Sequence, residues 1–209
     1  MRRIPRSLGR ALLVAALLGP LPACSGRSPT GALTPPPDAA PWENDLATAF
    51  DDDFTAIAPE LKGRAPSNVL DQRLLAQRLG FADVVAVARI EQIFTRKRRG
   101  RIEPFVAVEI EELLIGKLVP GTESQQLLRL SGDEEIDPSL HGRRVLLFVR
   151  WATEATPPYH HHVMVAEPAV MEFVTALVQH AKKAGVLTPG GGVKKNRATR
   201  SSRNEPELP

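Results

Sequence analysis

Three histidines stand side by side, His160-His161-His162, in the stretch "YHHHVMVA". Side chains on a strand alternate between faces, so His160 and His162 share one face and His161 takes the other. Two imidazoles at i and i+2 could hold a borderline metal such as Zn or Cu. A complete site needs further ligands, and His141 and Glu167 are the nearest options. No spaced ligand motif accompanies the triplet. The leading expectation is therefore a polar edge strand or loop after Pro157-Pro158. Metal binding through His160 and His162 is the alternative.

The acid runs Asp51-Asp52-Asp53 and Asp133-Glu134-Glu135 with Asp137 lack the ligand spacing of an EF-hand loop. They are read as solvated loop charge. Arg96, Lys97, Arg98, Arg99 and Arg101 surround Gly100 and make a cationic turn. Such a turn could touch anionic headgroups or an acidic partner. It could equally keep a long hairpin soluble and block edge pairing. Neither a Gly-x-Ser-x-Gly elbow nor a zinc-protease helix motif occurs, and "TPGGGVKK" has no strand before it or helix after it. The sequence therefore points away from an enzyme and calls for no cofactor.

The chain's single cysteine, Cys24, excludes an internal disulfide. It follows Arg2, Arg3, Arg6 and Arg10 and the apolar run "ALLVAALL". That run is far shorter than the roughly 20 residues a membrane-spanning helix needs. Positive residues, a short apolar core and the small Ala23 make a signal peptide over residues 1–23. Leu21-Pro22-Ala23-Cys24 resembles the lipobox of bacterial lipoproteins. The resemblance implies cleavage before Cys24 and diacylglycerol on its thiol, the best side-chain nucleophile for that transfer. Two or three acyl chains would anchor stably where one would not. By the same resemblance, Ser25 in place of Asp implies an outer-membrane anchor facing the periplasm.

Composition then bounds the folded part. Residues 43–180 hold 15 Lys and Arg against 21 Asp and Glu, a net charge of −6. The basic excess lies in the signal peptide and in residues 181–209, whose net charge is +5. A nucleic-acid binder needs a basic face on its domain, so nucleic acid is not an expected partner. Residues 24–42 and 188–209 are rich in Pro, Gly, Ser and Thr and read as a disordered tether and a disordered basic tail. Residues 43–187 remain as one domain of ordinary size.

Within that domain "SNVLDQRLLAQRLG" predicts a helix capped by Asn68, with Leu70, Leu74 and Leu75 on its apolar face and Gly80 at its end. "DVVAVARIEQIF", "FVAVEIEELL", "QQLLRL", "RVLLFVRW" and "YHHHVMVA" predict five strands. In the second, Val106, Val108 and Ile110 share one face and Ala107, Glu109 and Glu111 the other. Glu167-Pro168 opens a last helix with a stripe of Val170, Val174, Leu177 and Ala181. The expected fold class is α+β, a small five-stranded antiparallel barrel or coiled sheet with an N-terminal and a C-terminal helix. "ADVVAVARI", "FVAVEIEELLIGK" and "GRRVLLFV" resemble the strand rhythm of OB-fold domains of the netrin and metalloproteinase-inhibitor type. The resemblance implies an OB-like fold and carries no site, since that family's disulfides and free N-terminal cysteine are missing. The expected function is a lipid-anchored cell-envelope protein with a non-catalytic domain that binds an envelope protein or another envelope component. A periplasmic metal-binding protein is the alternative. If Cys24 carries the anchor, Cys24→Ser moves the protein from the membrane to the soluble fraction. An unchanged membrane fraction on cell fractionation would remove the lipoprotein reading.

Overall fold

The structure, a computed structural model, describes residues 31–187 except 64, 99, 133 and 134. Cys24, the signal segment and the tail from 188 lie outside the described residues. The packed chain starts ahead of residue 43, the expected beginning of the domain. Leu33 is already fully buried, and its N–H donates to Gln126 Oε1 at 3.1 Å.

The elements run β1 (Asp53–Thr55), β2 (Leu61–Lys62), β3 (Ala65–Pro66), α1 (Val69–Phe81), β4 (Val84–Arg98), β5 (Arg101–Ile115), β6 (Gln125–Arg129), β7 (Arg144–Trp151), β8 (Tyr159–Val165) and α2 (Pro168–Lys183). The fold is α+β, and the five expected strands are β4 to β8. They lie in one six-stranded sheet of order β1-β8-β7-β4-β5-β6. Every pairing in it is antiparallel except that of β1 with β8. The sheet does not close into a barrel, as one form of the expectation had it. Closure would need β6 to pair with β8. Instead β1 takes the edge of β8, and β6 is left as the opposite edge.

Coiling starts in β4, whose pairing with β5 shifts register at Val85/Ala86, Val87/Ala88 and Ile90/Gln92. Bulges of this kind bend a strand and increase its twist. Both faces of the coiled sheet are apolar at its centre. Ala86, Ala88, Val106, Val108, Leu147 and Val163 form an inner core, closed by Leu33 and Leu140 from the connections. Val85, Val87, Leu146, Phe148 and Met164 face the helices.

Asn68 caps α1 as expected, its Oδ1 accepting from Leu70 N at 2.8 Å. The inward face of α1 differs from the expectation. Leu75 and Arg78 are buried, while Leu70 is exposed. The helix also runs past Gly80 to Phe81. In α2 the inward stripe is Val170, Val174 and Val178, and Leu177 faces out. Gly116 is required where β5 ends. Its φ is +85°, and a Cβ there would lie 2.1 Å from the Asp83 carbonyl oxygen.

The alternation in β5 gives a test of this architecture. Val108 is fully buried in the inner core, whereas Glu109 is part-exposed and pairs with Arg89 at 2.8 Å. Val108→Asp buries an unpaired carboxylate and costs several kcal/mol, about what holds a small domain folded. Glu109→Val removes an exposed ion pair and changes stability by at most about 1 kcal/mol. Urea midpoints of the two variants measure the contrast, and equal costs would contradict the described faces.

Candidate functional site

Asp51 and Asp52 are not solvated loop charge. They meet the histidine triplet across more than a hundred residues of sequence. His160 Nδ1 lies 2.7 Å from Asp52 Oδ2, and His162 Nδ1 lies 2.7 Å from Asp51 Oδ1. The His161 N–H donates to Asp52 Oδ1 at 2.8 Å. Parallel pairing of β1 with β8 sets this alignment, placing Asp53 beside His162.

The triplet divides between faces as alternation requires. His160 packs against Trp42 with ring centroids 4.4 Å apart. His162 is buried, and both its nitrogens are engaged. Nε2 lies 2.9 Å from Thr55 Oγ1. Nδ1 faces Asp51 and, at 3.1 Å, Arg78 Nη2. One nitrogen cannot serve both partners at once. The shorter carboxylate contact assigns the proton to Nδ1, so Nε2 accepts from the Thr55 hydroxyl. Arg78 is then held by the Ala49 carbonyl at 2.9 Å and by the charge of Asp51. Burial, ahead of the neighbouring charges, holds His162 below the usual imidazole range. Burial acts upward on Asp51, but the His162 bond and the Arg78 charge outweigh it and keep that carboxyl low.

Asp51, His162 and Thr55 follow the hydrogen-bond order of a hydrolase triad. The cavity beside Thr55 and Arg78 is only about 70 Å³, well below the roughly 300 Å³ at which ligand pockets begin. We read the chain as the fastening of β1 to β8. At His162 a metal on Nε2 would have to displace the Thr55 hydroxyl. Among the described residues no group of three or more His, Cys, Asp or Glu could hold a metal ion.

The middle histidine faces the other way. His161 is 2% exposed on the inner face, 5.9 Å from the ring of Tyr159. Its Nδ1 lies 3.0 Å from Asp52 Oδ1, and its Nε2 has no hydrogen-bond partner. Tyr159 is pushed up to about 12 by burial and by the Asp52 charge, so its phenol stays neutral. Above them opens a cleft of about 1170 Å³. One wall is Phe105 of β5 with Leu127 and Leu130 along β6, and the other is Thr156-Pro157-Pro158 before β8. Arg101, Glu103 and Arg129 stand at its rim, and His161, Tyr159 and Asp52 line its base.

The cationic hairpin tip reaches the same rim through Arg101. Arg96 and Lys97 are exposed, and the Arg96 guanidinium lies 4.9 Å from the centre of the Phe105 ring. Arg98 ends β4, but its side chain, like all of Arg99, lies outside the described residues. Sequence reading singled out His160 and His162, whereas the residue at the cleft is His161. The strand period assigned it to the opposite face, and that was the one available signal.

No protein-family model matches this chain, nor does any curated protein. Between about pH 7 and pH 5, stability falls as acid is added, because the unfolded His162 takes a proton that the folded one refuses. Asp51, held low as well, contributes its own loss only below about pH 4. In His162→Gln the contribution of His162 to the slope above pH 5 disappears. The same change costs about 1–3 kcal/mol at neutral pH, because Asp51 and Thr55 lose a buried partner. Urea midpoints measured across that range for both proteins check the two effects.

Proposed function

We propose that this chain is a lipid-anchored protein of the bacterial cell envelope, held by acyl groups on Cys24, whose one domain is a non-catalytic binding module. The observation that carries the binding reading is His161, a buried imidazole whose Nδ1 faces Asp52 at 3.0 Å and whose Nε2 has no hydrogen-bond partner, at an open cleft. A buried polar group left unsatisfied costs about 1–3 kcal/mol. Such a group calls for an explanation, and a hydrogen bond supplied by a ligand in the cleft is one. Apolar walls with a few convergent polar groups are the usual composition of a binding cleft.

An OB-like sheet belongs to the same proposal. The cleft is bordered by the β4–β5 hairpin, the β5–β6 face and the β7–β8 connection. In OB folds the corresponding second and third strands and the loops flanking them form the ligand face. The exposed cations of the hairpin tip suit an anionic partner or headgroup near the membrane surface.

A photo-crosslinking amino acid placed at Leu127 tests the cleft in living cells. Leu127 lines it and is 49% exposed. Leu177 on α2, 41% exposed, serves as the control on the helix face. The expected result is an adduct from position 127 and none of the same size from 177. Identical patterns from both positions, or none from 127, would remove the cleft as the binding site.

A further inference from the structure

We propose that the cleft binds an extended acidic peptide of a partner protein, which adds to the sheet as a strand along the free edge of β6. This inference rests on the binding reading above and names its ligand class. It follows from where the backbone hydrogen bonds of β6 go. Ile110 N donates to Ser124 O at 2.8 Å, and Leu130 N donates to Pro104 O at 3.0 Å. Between these bonds, Val106 faces Leu128 and Val108 faces Gln126. Opposed residues of an antiparallel pair alternate between bonded and unbonded. Gln126 and Leu128 therefore turn their backbone groups toward β5, while Gln125, Leu127 and Arg129 turn theirs away. Since β6 is an edge strand, these N–H and C=O groups have no strand beside them among the described residues.

Among the described residues, Asp51 and Asp52 with Ser131 bridge the seam beyond that edge. Asp52 N donates to His161 O at 2.8 Å, and Ser131 N donates to Asp52 O at 2.7 Å. Asp52 has φ +55°, a left-handed conformation. Ala49 and Phe50, just before it, are buried on the helix face. The chain therefore leaves the seam at Asp52 instead of continuing along it. The remaining gap, between Leu127 on one side and Tyr159 on the other, is the cleft.

A strand added there gains main-chain bonds from β6 and sets alternate side chains against the inner face. Inward side chains would meet His161 and Leu130, and those on the other face would lie beside Leu127 and Phe105. Charge selects an acidic sequence. Of the carboxylates lining the cleft, Asp52 faces histidines and Glu103 pairs with Arg129 at 3.2 Å. Arg101 has no ion pair among the described residues.

The test uses the full-length protein in detergent micelles and a displayed library of short random peptides. Peptides rich in Asp and Glu are expected, with alternating apolar and polar positions. Leu127→Pro deletes an outward N–H without taking a bond from the sheet. It should weaken the selected peptide about tenfold. N-methylation of alternate peptide residues should do the same on the unaltered protein, so the result does not hang on how the proline variant folds. Arg101→Ser should weaken binding and flatten its salt dependence. Peptides that bind equally well after both backbone changes would overturn strand addition. So would the absence of any selected peptide. If position 127 still crosslinks a partner or a phosphatidylglycerol vesicle lipid in that case, the binding cleft stands and only its strand-shaped occupant falls.

Discussion

Two adjacent carboxylates at the seam of the sheet organise the molecule. Asp51 and Asp52 are only part-buried, yet their side chains answer all three histidines of β8. The backbone of Asp52 joins β8 to the end of β6. These contacts decide that β8 gains a short parallel neighbour, β1, rather than β6 itself. They also decide that the sheet stays open. The left-handed turn at Asp52 sends the preceding chain to the helix face, where Phe50 packs beside Leu75 and Val174. A chain that ran straight through Asp52 would lie in the seam and fill the cleft.

The open seam is tolerable because the sheet has two apolar faces and two different covers. Helices α1 and α2 bury one. Coiling buries the other, with Leu33 and Leu140 closing the ends. A flat sheet could not do this with so few covering residues, and the bulges of β4 supply the bend. Beyond the cores the sheet carries charge in ladders. Arg89 meets Glu91, Glu109 and Glu111, and Arg144 meets Glu111. These exposed pairs add little stability. They leave the outer strand surface polar, while the part-buried pair of Arg150 with Asp83 ties β7 to the start of β4.

How much of this was legible in the sequence depended on range. Val106 and Val108 alternate with Glu109 and Glu111, a local pattern that named its own faces. Asn68 announced a helix through a bond only two residues long. β1 gave no such sign, because Asp53-Phe54-Thr55 is too short to show a period and exists only by pairing with β8. The runs Asp51-Asp52-Asp53 and His160-His161-His162 were both visible. Nothing in either run told of the other, since a parallel pairing between distant segments leaves no spacing to read. Arg78 misled for a related reason. Helical periodicity favours Leu70 as an inward residue, but a buried histidine and carboxylate across the gap make an arginine the better neighbour.

The histidines therefore sort by the company each keeps. His160 has Asp52 and the ring of Trp42. His162 has Asp51, Thr55 and Arg78, and spends both nitrogens within the fold. His161 sits on the same strand and meets the same carboxylate through Nδ1, yet its Nε2 has no hydrogen-bond partner. Arg150 Nε is also unpartnered, but other nitrogens of that guanidinium bond Asp83, Phe81 and Pro41. His161 has only the Asp52 contact of its Nδ1. A leucine or valine at position 161 would serve the inner core better, as Val163 does two residues on. An imidazole kept there, facing a cleft rather than a packed wall, is best accounted for by a group that arrives from outside.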